Sequence, residues 1–293
     1  MGYILKNKNL EVQIDFPNEN YGFSRFDWTG KITNIKFKNI QLTSIEDPNF
    51  QNQNLLGKGL YNEFGIETAL GFDEAEIGEW FHKIGVGLLK KEDENYEFHK
   101  PYKIKPAKFR TWTDRNRVLI HCVSPVANRY SYELRKEIEL QETSLTINYS
   151  LKNTGKKTIQ TNEYVHNFMA INNDSIGDIF RLSFPFDLKP KLFGETVNPE
   201  MAVSVGEKEV ASNAPPNEQF FFSDLSGGKS VPAAWELLHL KSKVGIREKT
   251  SFQTNKINLW GWKHVISPEL FFEISIAPNE TKEWTRTYEF FQI

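Results

Sequence analysis

Ser144-Leu-Thr-Ile-Asn-Tyr-Ser-Leu-Lys-Asn-Thr-Gly155, followed by Thr158-Ile-Gln-Thr-Asn-Glu-Tyr-Val-His-Asn-Phe-Met-Ala-Ile171, is the stretch on which the reading of this chain turns. Its first half alternates apolar and polar residues and ends in an Asn-Thr-Gly turn, as a half-buried strand does. The second half is then the next strand, yet its alternation is not that of ordinary core. One face carries Ile159, Thr161, Glu163, Val165 and Asn167; the other carries Thr158, Gln160, Asn162, Tyr164, His166 and Phe168. Polar groups on both faces suit a sheet that lines a polar cleft. His166 is the residue to follow in it.

The strand pattern extends in both directions. Alternation predicts strands at 10–16, 31–37, 96–104, 107–113, 117–123, 130–140 and 144–152. It predicts others at 179–184, 220–223, 233–240, 244–249, 270–276 and 282–291. Turn signals such as Thr113-Asp-Arg-Asn116 and Gln141-Glu142 separate them, whereas 46–54 and 207–218 read as Pro- and Asn-bearing loops. A short helical turn is expected near Asp73–Ile77. Gly85-Val-Gly87 opens no helix and reads as a close-packed or bulged strand rather than a nucleotide-binding turn. With no fixed-period repeat and no dividing linker, residues 1–293 read as one domain. About twenty strands are too many for an immunoglobulin-sized sandwich of seven to nine. The expected fold is therefore all-β: a large antiparallel two-sheet sandwich.

Composition narrows the function classes. The formal net charge is −2, which gives no whole-chain basic signal for nucleic acid or an anionic membrane. No apolar run approaches the 18 residues of a spanning helix. The opening Met-Gly-Tyr-Ile-Leu-Lys-Asn-Lys lacks a long apolar region, so no secretory leader is expected and the cytoplasm is the expected compartment. Cys122 is the single cysteine, in the apolar run Arg117–Ser124. It reads as a buried small hydrophobe, with neighbouring His121 on the opposite face. A Cys-rich zinc site is excluded, and no metal site is expected. The aromatic content of 14 %, with 23 Phe, 10 Tyr and seven Trp, serves strands and also provides flat faces on which sugar rings can lie.

The chemistry must come from scattered histidines and carboxylates. His82 reads as a residue of a Gly-bounded loop, His99 as an exposed turn, and His239 as a solvent-facing strand residue. His264 lies close to a more interesting segment, Leu259-Trp-Gly-Trp-Lys-His-Val-Ile-Ser-Pro-Glu-Leu-Phe-Phe-Glu273. Pro268 cannot donate to a central ladder, so a strand is expected to begin after it. That puts Glu269 at a strand entrance beside Trp260 and Trp262. A carboxylate in an aromatic-walled cleft is partly desolvated, which raises its pKa and suits it to proton transfer. Glu273, four residues on and on the same face of a regular strand, competes for this role.

Leu134–Leu140, Ser144–Gly155 and Tyr164-Val-His-Asn-Phe168, in that order, resemble the galactose mutarotase / aldose 1-epimerase superfamily. So do Ile276-Ala-Pro-Asn-Glu-Thr-Lys-Glu-Trp284 and Thr287-Tyr-Glu-Phe290, which are similar to that family's closing turn and last strand. The resemblance runs from about Lys31 to the end. It implies a β-supersandwich with a cleft for a monosaccharide, no metal and no organic cofactor. It also implies anomer exchange by ring opening, with His166 as acid and Glu269 as base. Trp260 or Trp262 would stack on the sugar, and Asn167 adjoins the histidine. The family's Leu-His-Gly-Gly-like motif is missing; Asn62-Glu-Phe-Gly65 and Phe81-His-Lys-Ile-Gly85 stand in that region, offering Glu63, His82 and Lys83 as substrate contacts. The same scaffold would also serve a sugar-binding or sensing protein without turnover.

Overall fold

A computed structural model describes residues 2–293. Twenty-four strands form among them, with only two short 3-10 turns, Gln53–Leu55 and Pro190–Leu192. Every strand pairing is antiparallel. Two large sheets dominate. The ten-stranded sheet runs from Val203–Val205 at one edge, through Val231–His239, Val244–Thr254, Thr281–Gln292, Ser144–Asn153 and Tyr132–Leu140, to Lys108–Thr113 at the other. The seven-stranded sheet has Leu60–Phe64 and Ile159–Asn167 at its heart, with Phe272–Ile276 on one flank and Lys31–Phe37 on the other. Four- and three-stranded sheets complete the molecule. The larger of two apolar clusters, running from Leu5 to Phe290, packs between the large sheets.

Alternation explains the ten-stranded sheet directly. Leu145, Ile147, Tyr149 and Leu151 point inward on one strand, and Trp284, Tyr288 and Phe290 on the next, while the residues between them face solvent or its margin. Three charged residues break the rule by pointing inward: Lys136, Glu248 and Arg286, each no more than 2 % exposed. Arg286 and Glu248 pair within the sheet, and the other partners come from the facing layer. Arg286 binds Glu163 through Nε at 3.1 Å and Nη2 at 2.8 Å, and Glu248 through Nη1 at 2.7 Å. Lys136 lies 3.3 Å from Asp27 and donates to Asn62 Oδ1 at 2.5 Å, and Asn62 in turn donates to Glu163. The polar face 163/165/167 of the central strand is therefore satisfied inside the sandwich.

Four sequence expectations need correction. Residues 96–103 form turns and loop rather than strand, the next strand being Ile104–Pro106. Residues 73–77 form turns and no helix. Gly85 lies in the turn between Trp80–Lys83 and Gly87–Lys90 with φ +79, where a Cβ would run into the Asp27 carboxylate. Pro268 does not precede a strand; it sits within Val265–Leu270, opposite Leu259. That strand is the edge of the four-stranded sheet, where a missing N–H is tolerated.

Among the described residues no helix is long and apolar enough to cross a membrane. Removing Arg286 leaves Glu163 and Glu248 buried without their counter-charge. Arg286→Leu is expected to lower unfolding free energy by about 3–5 kcal/mol, the usual effect of breaking a buried pair, as read by urea denaturation of the variant.

Candidate active site

The site lies on the other face of the central strand. Antiparallel pairing sets Tyr164 opposite Glu63 and His166 opposite Tyr61, and the two-residue period points Tyr164, His166 and Phe168 away from the Arg286 network. The end of the strand next meets Val265–Leu270. Asn167 N donates to Ser267 Oγ at 2.9 Å, and a bridge joins Met169 to Ile266. This crossing brings Glu269 to the histidine. His166 Nε2 lies 3.4 Å from Glu269 Oε1, and both side chains are about 6 % exposed. Ser267 Oγ donates to the same Oε1 at 3.4 Å.

The walls are aromatic. His166 stacks on Phe168 with centroids 4.1 Å apart and planes 10° apart, meets the edge of Trp260 at 5.2 Å, and faces Phe26 at 6.0 Å. Trp260 and Trp262 are half-buried, and both are tied by indole N–H groups to the 217–219 segment: Trp260 to Gln219 Oε1 at 3.3 Å, Trp262 to Asn217 O at 2.8 Å. Beside the pair sits a buried charged set. Glu63, fully buried, accepts from Lys83 Nζ at 3.1 Å, Arg25 Nε at 3.0 Å and Tyr164 Oη at 2.7 Å. Arg25 also donates to Tyr164 Oη at 3.2 Å, and Lys83 to Tyr96 Oη at 2.8 Å. The Arg25 guanidinium lies 4.5 Å from Phe26 and 4.6 Å from Phe98, and its side chain is 19 % exposed. It is the cation of this set that reaches the surface.

Burial decides the protonation of the pair. It pushes the Glu269 carboxyl up to about 8; the Arg25 cation pulls against that shift and the Glu63 carboxylate adds to it. His166 is held well below its ordinary value, first by burial and then by Arg25. At neutral pH the pair thus carries one proton, on the carboxyl, opposite a neutral imidazole whose buried Nδ1 has no partner. One acid and one base stand within reach of each other, the equipment for moving a proton on and off neighbouring oxygens.

The sequence candidates divide by strand face. His166, Glu269, Trp260, Glu63 and Lys83 converge, the last two through their mutual ion pair. Trp262 follows Trp260 on the outer side of the same strand. His82 does not join them. It is no loop residue but a fully buried member of Trp80–Lys83, facing Tyr130 and Tyr132, and alternation sends it away from where Lys83 points. Asn167 is also turned away: it donates to Pro268 O at 2.6 Å and accepts from Tyr288 Oη at 3.0 Å within the core. Glu273 is exposed and paired in register with Asn162, remote from His166 along the strand. His239, expected at the surface, is buried 3.4 Å from Asp174. Arg25 and Tyr164 were not singled out by sequence. Tyr164 shares the His166 face and could have been; Arg25 lies in an irregular segment that gives no such signal. Among the described residues no group of three or more His, Cys, Asp or Glu could hold a metal ion.

No protein-family model and no curated protein matches the sequence. Solved structures do match in fold. A protein of Synechocystis sp. PCC 6803 is 13 % identical over 100 % of this chain and 96 % of that one, with TM-score 0.65. A galactose mutarotase related enzyme from Lactobacillus acidophilus is 12 % identical over 100 % and 98 %, with TM-score 0.60. A galactose mutarotase-like protein from Lactobacillus casei ATCC 334 is 10 % identical over 99 % and 100 %, with TM-score 0.60. The chain has the galactose mutarotase-like fold.

The raised Glu269 carboxyl has a signature in stability. Its folded value exceeds the ordinary carboxyl value near 4.5, so the folded state holds a proton that the unfolded state releases between about 4.5 and 8. Stability therefore falls as pH rises through that window, by up to about 1.4 kcal/mol per pH unit. His166 acts in the opposite sense and only below its ordinary 6.5, where the unfolded state takes up a proton the folded imidazole refuses. Between pH 6.5 and 8, Glu269→Gln is expected to flatten the fall; denaturation midpoints of wild type and variant across that range check it.

Proposed function

We propose that this chain is a sugar 1-epimerase (mutarotase)-like enzyme, acting on an aldohexose or related monosaccharide as a single domain, with His166 and Glu269 as the acid–base pair. The observation that carries the proposal is their 3.4 Å approach inside an aromatic, buried site. Neighbours of the same fold named as galactose mutarotase related support it.

Anomer exchange needs two proton movements and nothing else. The base takes the proton from the anomeric hydroxyl O1, the C1–O5 bond breaks as C1=O1 forms, and the acid delivers a proton to O5. Rotation about C1–C2 and the reverse steps give the other anomer. Glu269 serves O1 and His166 serves O5. Burial holds the resting proton on Glu269, so this arrangement requires its transfer to His166. A sugar's hydroxyls supply the polar partners that ionised Glu269 lacks in the closed site, and Arg25 favours the same ionisation. Glu63 and Lys83 hold Arg25 and Tyr164 beside the pair, and Trp260 and Trp262 offer faces to the apolar side of the ring. The substrate must also part the two side chains, because sugar-free catalytic contacts commonly rearrange on binding.

Polarimetry on freshly dissolved α-glucose and α-galactose tests the reading. The protein is expected to speed mutarotation of at least one aldose, and His166→Ala and Glu269→Gln each to lose about 10²–10⁴-fold of that rate. The pH profile counts protons on the pair wherever the proton resides, so kcat/KM is expected to fall about tenfold per pH unit above roughly 8. No acceleration across an aldose panel sinks the proposal. A sugar-binding protein without turnover is the second reading. What favours it is that the pair touches instead of standing a sugar ring apart, and calorimetric binding without accelerated mutarotation would select it.

A further inference from the structure

The polar chain is electrically near neutral, yet its charge is not evenly spread. Residues 100–117 contain Lys100, Lys103, Lys105, Lys108, Arg110, Arg115 and Arg117 against the single acid Asp114. In the fold this segment becomes the strands Ile104–Pro106 and Lys108–Thr113 and the turn after them, and Lys108–Thr113 is the free edge of the ten-stranded sheet. Lys100 pairs with Asp93, and Arg117 with Asp114 and Glu137. The other five, Lys103, Lys105, Lys108, Arg110 and Arg115, are exposed, and none makes an ion pair or side-chain hydrogen bond among the described residues. Strand geometry puts Lys108, Arg110 and Trp112 on one face at steps of about 6.6 Å. Trp112 is 49 % exposed, lying over His121 at 6.5 Å with planes 27° apart. Edge lysines alone are a common guard against sheet aggregation. An exposed tryptophan in line with them is not part of such a guard, since it adds apolar surface to the edge.

We propose that this edge binds an acidic polysaccharide, a chain of sugars bearing carboxylates or sulfates, independently of the buried His166–Glu269 site. The cations supply charge-assisted bonds to the anionic groups, and Trp112 supplies a flat face for a sugar ring. Width selects this ligand over nucleic acid. The basic row is about one strand wide, and two strands in, on the same face, Tyr132–Leu140 carries Glu133, Glu137 and Glu139 with Arg135 as the one cation among them. A duplex or a broad RNA would overlie those carboxylates, whereas a single glycan chain can follow the edge.

The test is affinity electrophoresis and titration of the full chain against polygalacturonate and heparin, with dextran as neutral glycan and single-stranded poly(U) as the competing polyanion. Binding to at least one acidic polysaccharide, weakening as salt rises, is expected, with none to dextran. The triple variant Lys105→Glu/Lys108→Glu/Arg110→Glu is expected to lose about tenfold or more in affinity, and Trp112→Ala to weaken binding at unchanged salt slope. These positions are exposed, so unchanged thermal unfolding and unchanged sugar chemistry at the buried site should accompany the loss. Absence of binding at low salt, equal binding by the charge-reversed variant, or stronger binding to poly(U) would overturn the proposal.

Discussion

The guanidinium of Arg286, held between Glu163 and Glu248 and shut off from water, fixes how the central strand sits. A buried charge of this kind accepts no approximate register. Sliding Ile159–Asn167 by one residue would turn Glu163 out of the sandwich and leave Arg286 with half its counter-charge, while driving His166 into the apolar core. The same alternation that seats Glu163 and Asn167 against Arg286, Glu248 and Tyr288 therefore faces Tyr164 and His166 outward. The site inherits its geometry from an electrostatic constraint on the opposite side of one strand. Glu269 is set by the complementary device: Asn167, from the core face, donates its side-chain amide to Pro268 O and its backbone N–H to Ser267 Oγ, locking the neighbouring strand beside the histidine.

Two charged groups of residues meet across this strand and are treated differently. In the core one guanidinium spans two carboxylates through direct bonds of 2.7–3.1 Å. At the site, Glu63 absorbs two cations and a phenol, which leaves Glu269 with only a long contact from Ser267 to sustain a negative charge. An unsupported buried carboxyl keeps its proton. Proximity of Arg25 pulls the other way without a direct bond, so the carboxyl rests near the point where a polar ligand could tip it. The proposed proton transfer depends on that imbalance rather than on either residue alone.

Much of this was legible in the sequence because alternation is a local signal. The strands at 117–123 and 144–152 needed only the two-residue period; the polar groups on both faces of 158–168 suggested a polar cleft, whereas one of those faces is buried against Arg286 inside the sandwich. What alternation could not say is which polar face met which partner. Asn167 and His166 are adjacent, so one had to leave the site, and the sequence gives no means of telling that the core claims Asn167. The same holds for His82 and Lys83: a Gly-rich, aromatic segment hid a strand whose period sends the lysine to Glu63 and buries the histidine. Arg25 was invisible for a different reason, being placed by a long-range bond to Glu63 from a segment with no regular structure. Pro268 misled because its cost depends on edge or centre, a property of the sheet and not of the chain.

Access to the pair follows from what can yield. The strands bearing His166 and Glu269 are hydrogen-bonded on both sides or anchored by Asn167, and moving either would disturb the Arg286 network. Trp260 is held more lightly, by one 3.3 Å bond to Gln219 on a loop, and is half-buried. Arg25 is the partly exposed member of its set, flanked by Phe98 from the irregular 96–103 segment. Arg25 and Phe98 come from irregular segments and Trp260 leans from its strand onto a loop residue, whereas His166 and Glu269 sit on paired strands. A sugar entering the site would therefore displace a wall of aromatic and cationic side chains, and the pair beneath would keep its framework and need only a change of side-chain torsion to admit the ring.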